Sequence, residues 1–235
     1  MKGTGRWPLA SPTLHVRGVL FDMDGVLISS TGSDERSWLR WARIHGMEGS
    51  FSVQSTHGRR TIDTLRALRP DLDPFVELIR LENFDAEDQN GVIALPGAKS
   101  LIAALPENAW TIVTSASERL MRNRLQFAGI TLPQNVISAD NVTYGKPHPE
   151  PYEMGARVLC VKPSECLVVE DAPTGIKAGK AAGCQVLAVL SSHSAEDLAE
   201  ADWIVQSLDH VTVIQANDGR FAIRLAAAKP PMRRR

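Results

Sequence analysis

The chain has 235 residues, 26 basic and 27 acidic, with a net charge of −1 at pH 7. That length suits one large domain or a core carrying a smaller insertion, and the even charge balance removes any electrostatic basis for nucleic acid or an anionic membrane as partner. Three cysteines, Cys160, Cys166 and Cys184, form no CxxC pair, and no run of about 18 apolar residues occurs, so a cytoplasmic protein without disulfides, zinc knuckles or membrane spans is expected.

In chain order, the first 15 residues lack the apolar core of a signal peptide. The run "VRGVLFD" follows, continuous rather than alternating, as a strand covered on both faces by helices should be. It ends in Asp22 and Asp24, one residue apart, with Gly25 next. From about residue 32 to 96 no convincing strand pattern occurs. Instead "SDERSWLRWARIHG" places Trp38, Trp41, Ala42 and His45 at three- and four-residue steps, which predicts helix, with the tryptophans on its core stripe. Pro96 and Gly97 mark the return.

The rest alternates. "KSLIAAL" predicts a helix, "WTIVTS" a strand, and "ERLMRNRLQFAG" a helix with Leu120, Arg124 and Phe127 at helical spacing. "CLVVED" predicts a strand, "PTGIKAGKAAG" a helix stopping at Gly183, and "QVLAVLS" a last strand. This order specifies an α/β fold, a doubly wound Rossmann-like parallel sheet with an inserted all-helical domain. Residues 1–31 and 97–235 would form the core and 32–96 the insertion, with loose ends at "MKGTGRWPLASPT" and "AAAKPPMRRR".

Ligands of such sheets bind outside the carboxyl ends of the strands. Here those ends carry Asp22 and Asp24, then Thr114 and Ser115, then Glu170 and Asp171, while Lys146 lies in "VISADNVTYGKPHPEPY" between the second and third. Carboxylates gathered so closely repel unless a cation sits among them. Oxygen ligation without a His or Cys cluster favours Mg²⁺, which shares its sphere with waters and phosphate. A hydroxyl and an ammonium would then hold the other phosphate oxygens. A carboxylate at the tip of the first strand can attack phosphorus in line, and a second, two residues on, can protonate the leaving oxygen. A calcium loop also uses Asp-x-Asp-Gly, but the flanking helices and closing Glu are missing.

The stretches "DMDGVL", "TSAS", "GKPHPEPY" and "VVEDAPTGIKAGKAAG" resemble, in order, the four motifs of the haloacid dehalogenase superfamily, over roughly residues 17 to 215. By that resemblance Asp22 would be the nucleophile and Asp24 the general acid and then base. Ser115, Ala116 and Lys146 would bind phosphate. Asp22, the backbone oxygen of Asp24, Glu170 and Asp171 would hold Mg²⁺, and the insertion would be the cap. Through "ERSW", "HGRRT" and "LPGAKSLIAAL" the chain is also similar to the branch of 2-deoxyglucose-6-phosphate and glycerol-3-phosphate phosphatases; His57, Gly58 and Arg59, in the loop-like "THGRR" of the insertion just before a helix, fit cap contacts to substrate and plain helix entry alike.

These resemblances imply a phosphatase of a small phosphorylated metabolite, a sugar or polyol phosphate, working as a monomer or weak homo-oligomer. The alternatives are a β-phosphoglucomutase-like phosphomutase and a phosphoglycolate or nucleotide phosphatase. Ser117 and Thr114 fit helix-capping roles as well as phosphate contact, and His148, between two prolines, reads as a rigid loop residue.

Overall fold

A computed structural model of the chain describes residues 11–49, 52, 56, 58–215 and 221–228. The four continuous apolar runs are strands β2 (Gly18–Phe21), β5 (Trp110–Val113), β7 (Cys166–Glu170) and β8 (Gln185–Val189). With β6 (Val136–Ile137) and β9 (Trp203–Val205) they form a six-stranded parallel sheet in the order β6-β5-β2-β7-β8-β9. The chain leaves β2 toward β5 and β6, then returns to the other side for β7, β8 and β9. The switch point therefore lies where β2 is flanked by β5 and β7, the crevice that such sheets offer to ligands.

Successive residues along the strands point to opposite faces and bury two separate cores. Val19, Phe21, Ile112 and Val169 pack with α4 (Ala98–Ala104) and α5 (Glu118–Ala128). Leu20, Val113 and Val168 pack with α6 (Glu150–Val158) and α7 (Pro173–Ala181). Helix α5 has strong punctuation: Ser117 Oγ accepts the amide hydrogen of Leu120, and Gly129 closes the helix in the left-handed conformation.

The insertion holds three helices, α1 (Thr31–Ile44), α2 (Thr61–Leu68) and α3 (Pro74–Glu87), around a small core of Trp38, Trp41, Ala42, Leu65 and Leu81. Asp73 caps α3 by accepting from the Phe75 amide at 2.9 Å, with Pro74 preset for the first turn. At the join, β3 (Ile28–Ser29) pairs antiparallel with β4 (Ile93–Ala94), and β4 lies inside the stretch, 32–96, expected to hold no strand. Two residues are too few to show a period in sequence.

The run "VRGVLFD" also divides. Val16 ends β1 (Thr13–Val16), which alternates exposed and buried residues, and β2 starts at Gly18. Strand β1 joins a second sheet with β10 (Val211–Gln215) and β11 (Phe221–Leu225), in the antiparallel order β1-β11-β10. Parts of both expected loose ends are thus ordered: Thr13 opens β1 and Ala228 is buried. Residues 1–10 and 229–235 lie outside the described residues. Among the described residues no helix is long and apolar enough to cross a membrane.

Candidate active site

Phe21 is level with Ile112 on one side and Val169 on the other, so the next residue, Asp22, emerges in the crevice between β5 and β7. Its amide donates to Val169 O at 2.9 Å, which continues the sheet pairing one step and fixes the backbone beneath the carboxylate. Lys146 reaches in from the loop before α6. Its ammonium donates to Asp22 Oδ1 at 2.5 Å, Glu170 Oε1 at 2.7 Å and Val113 O at 3.1 Å, so all three of its hydrogens are used.

Glu170 is held from four directions. Besides Lys146 it accepts from Tyr152 Oη at 2.6 Å and from the amides of Asp171 and Ala172 at 3.0 and 3.2 Å. Gly175, in the first turn of α7, is required beside it: a Cβ there would lie 1.6 Å from Glu170 Oε1. Ser192 Oγ donates to the Asp171 carboxylate and to its backbone oxygen.

Ligand oxygens of Asp22, Glu170 and Asp171 all lie within 4.8 Å of one another, and all three residues are buried. Burial raises the Asp22 carboxyl to about 7 against the pull of Lys146, with Glu170 adding to the rise. Burial, then Glu170 and Asp22, push Asp171 well above the usual carboxylate range. Lys146 is driven above its ordinary value because Asp22 and Glu170 outweigh its own desolvation. Three carboxylates against one ammonium leave negative charge that a hard, oxygen-preferring cation would satisfy, so the donor set fits the expected metal.

Asp24 sits across the turn. Its Oδ1 accepts from Ser30 Oγ and, at 2.9 Å, from Arg124 Nη1. Gly25 between this carboxylate and the metal-type cluster has φ +79°, and a Cβ there would lie 1.9 Å from Asp171 Oδ2. The glycine after the paired aspartates is thus needed for closeness as well as for the turn.

These groups line a cavity enclosing about 90 Å³ between core and insertion. The core contributes Asp22, Asp24, Ser115, Ala116 and Asp171; the insertion contributes Asp34, Trp38, Gly58 and Arg59. Ser115 Oγ donates to Gly58 O at 3.2 Å across the gap. Arg59 is exposed, and its guanidinium makes no hydrogen bond or ion pair among the described residues. His57 lies outside the described residues. Trp41 is core alone, whereas Trp38, also buried, shows an edge to the cavity. Thr114 accepts from the Ala116 amide at 3.1 Å. His148 accepts from the Glu150 amide and stacks on Tyr144, a loop role.

A family model, described as haloacid dehalogenase-like hydrolase, matches residues 16–183. The chain belongs to this family. It is a hydrolase, and its relatives over nearly the whole length are named as phosphatases. Hexitol phosphatase A of Escherichia coli (strain K12) is 39% identical over 90% of this chain and 100% of its own. The 2-deoxyglucose-6-phosphate phosphatase 1 of Saccharomyces cerevisiae is 32% identical over 88% of this chain and 94% of its own. Among solved structures, a β-phosphoglucomutase from Clostridium difficile superposes with a TM-score of 0.70 at 25% identity, covering 83% of this chain and 92% of that one.

Three residues of this haloacid dehalogenase-family site escaped the sequence reading. Tyr152 and Ser192 steady Glu170 and Asp171, but a tyrosine in a helix and a serine in a loop carry no spacing signal. Arg124 was legible only as one position on an amphipathic stripe with Phe127. The structure inverts that pair: Arg124 is buried and Phe127 is 60% exposed.

Proposed function

We propose that the chain is a Mg²⁺-dependent phosphatase of a small sugar or polyol phosphate, working through an aspartyl phosphate on Asp22. The observation that carries this reading is the position of Asp22: buried at the switch point, tied by one oxygen to Lys146, and open to a cavity shared with Asp24 and Ser115. Asp22 Oδ2 accepts no hydrogen bond among the described residues and is the oxygen left to attack phosphorus. As the P–O bond to the organic half breaks, Asp24 gives its proton to the departing oxygen. Water then attacks the aspartyl phosphate, Asp24 takes a proton from it, and phosphate leaves with Asp22 regenerated.

Lys146, Ser115 Oγ and the Ala116 amide would bind the phosphate oxygens, exchanging their present bonds to Val113 O, Gly58 O and Thr114 Oγ1 for bonds to the ligand. Asp22, the backbone oxygen of Asp24, Glu170 and Asp171 would hold Mg²⁺, whose chemistry is to neutralise charge on the transferring group. Residues 1–31 and 97–235 would serve as core and 32–96 as the cap that excludes water, with His57, Gly58 and Arg59 toward the organic half. The unpaired cysteines, Cys166 and Cys184 buried and Cys160 exposed, support a reducing cytoplasmic setting.

The names of the relatives support hexitol and hexose phosphates as the first substrates to try. Phosphate release from a panel of sugar, polyol, glycolate and nucleotide phosphates, with Mg²⁺ and after chelation, tests the reading. Metal-dependent release from a polyol or sugar phosphate is expected. Release confined to nucleotides or phosphoglycolate, or unchanged by chelation, overturns it.

A further inference from the structure

Arg124 projects from α5 of the core into the seam with the cap, where its side chain is only 4% exposed. Nη1 donates to Asp24 Oδ1 at 2.9 Å. Nη2 donates to Asp85 Oδ1 at 2.6 Å and Asp34 Oδ1 at 3.2 Å, and Nε lies 3.3 Å from Asp85 Oδ2. Asp34 stands on α1 and Asp85 on α3, so two of the three carboxylates belong to the cap and the third to the catalytic turn. Asp85 is itself pinned by Ser33 Oγ at 2.9 Å and Gln89 Nε2 at 3.1 Å.

We propose that Arg124 is a positioning residue that aligns Asp24 for proton transfer only while the cap helices α1 and α3 are docked. This rests on the phosphatase reading above. Both bonds to the Asp24 carboxylate, from Arg124 and Ser30, end on Oδ1, and Oδ2 accepts none among the described residues. The carboxylate is therefore held by one oxygen, its other is left without a donor, and Asp24 lines the cavity. A planar guanidinium can bridge several carboxylates with fixed angles, which a lysine ammonium on a flexible stem cannot. Lifting the cap removes Asp34 and Asp85 from the fork together. Arg124 then keeps only Asp24 and loses the packing that fixes its direction, so acid catalysis and closure are coupled through one side chain.

Leaving-group dependence separates this role from simple support of the fold. An alkoxide must be protonated as it departs, whereas 4-nitrophenolate leaves without a proton. Single turnovers by rapid mixing isolate transfer to Asp22 from the later hydrolysis. R124M and R124K are compared with wild type on sorbitol 6-phosphate and 4-nitrophenyl phosphate, each with Mg²⁺.

For R124M, transfer from sorbitol 6-phosphate is expected to fall about 100-fold, in line with the lower range for a positioned general acid, while transfer from the nitrophenyl ester falls far less. R124K, which keeps a buried cation without the fork, is expected to show the same bias in weaker form. It carries the test should R124M fail to fold. Equal losses on both esters, in a wild-type enzyme active on both, overturn the assignment alone. A wild type that releases phosphate from no sugar or polyol phosphate overturns the phosphatase reading and the assignment with it.

Discussion

Lys146 Nζ stands 2.5 Å from Asp22 Oδ1 inside the core, although the two residues are 124 positions apart in sequence. The pair is expensive to bury, and breaking such a pair by removing one partner typically costs about 3–5 kcal/mol. A fold that only needed stability would fill the place with apolar side chains. On the proposed phosphatase reading the charges instead serve the chemistry: the ammonium would fix one oxygen of the nucleophile, and burial keeps the carboxyl poised near neutrality.

Asp22→Asn removes the nucleophile while keeping the side-chain shape and an oxygen for Lys146 to bond. Activity should fall by several orders of magnitude, because positioning alone does not replace a covalent step. Lys146 keeps Glu170 as a charged partner and the Asn oxygen to bond, and burial already disfavours the Asp22 charge, so loss and relief oppose each other and the metal-free variant should melt close to the wild-type temperature. Thermal melts in chelator beside phosphate-release assays check both halves. Substantial turnover by the folded variant would remove Asp22 from its role.

Metal and proton should compete at the same carboxylates. Asp22 rises from its ordinary 3.8 to about 7 on folding, so its protonated form favours the folded state. That contribution is complete below 3.8 and is lost as pH climbs through 7. The metal-free chain should therefore lose stability over this window, and Mg²⁺ should restore it most where no proton has to be displaced. Melting temperatures with and without Mg²⁺ should differ more at about pH 8 than at about pH 5.5. A Mg²⁺ effect that grows toward acid would contradict this.

Gly25→Ala would drive a methyl group into Asp171, since the built Cβ comes within 1.9 Å of Oδ2 at a backbone φ of +79°. The turn has to shift, carrying Asp24 and Asp171 apart. A misplacement near 1 Å can cost about 100-fold in rate, so kcat should fall at least that far even in chain that remains folded. Kinetics with a circular-dichroism check would show it; wild-type kcat would mean the turn yields freely.

Arg59→Ala leaves the fold untouched, because the guanidinium has no partner among the described residues. If Arg59 meets the organic half of the substrate, a lost charged hydrogen bond of about 1.5–3 kcal/mol raises KM by roughly 10- to 100-fold. The melting temperature should not change. An unaltered KM across the active substrates would place Arg59 outside the binding site.

The legible parts of this protein are those whose meaning is local. Strands β2, β5, β7 and β8 declared themselves as continuous apolar runs because both of their faces are covered, and Asp22, Glu170 and Asp171 stood out by following such runs. The antiparallel sheet stayed hidden: Thr13 pairs with Arg224, and a strand of four or five residues gains significance only from a partner two hundred positions away. Arg124 is the same problem in a side chain. Its burial depends on Asp24, Asp34 and Asp85 arriving from three other segments, which no spacing within α5 can announce.

Whether water or a second hydroxyl takes the phosphoryl group decides between phosphatase and mutase, and the β-phosphoglucomutase likeness makes the comparison direct. Both chemistries use the same aspartyl phosphate, so the difference must come from the cap. Directly ahead of its "RSW" segment this chain carries two carboxylates, Asp34 and Glu35. Asp34 lines the cavity and is engaged by Arg124, so a carboxylate stands beside the reacting space at this point of the cap. Burial raises the Asp34 carboxyl above its ordinary value, with Arg124 opposing. No second phosphate clamp is evident among the described cap residues lining the cavity, where Arg59 is the single free cation. Water should therefore be the acceptor. Phosphorus NMR of β-glucose 1-phosphate and polyol phosphates with enzyme and Mg²⁺ should show inorganic phosphate accumulating without a bisphosphate activator. Predominant conversion to glucose 6-phosphate, with little free phosphate from any ester, would make the mutase reading the correct one.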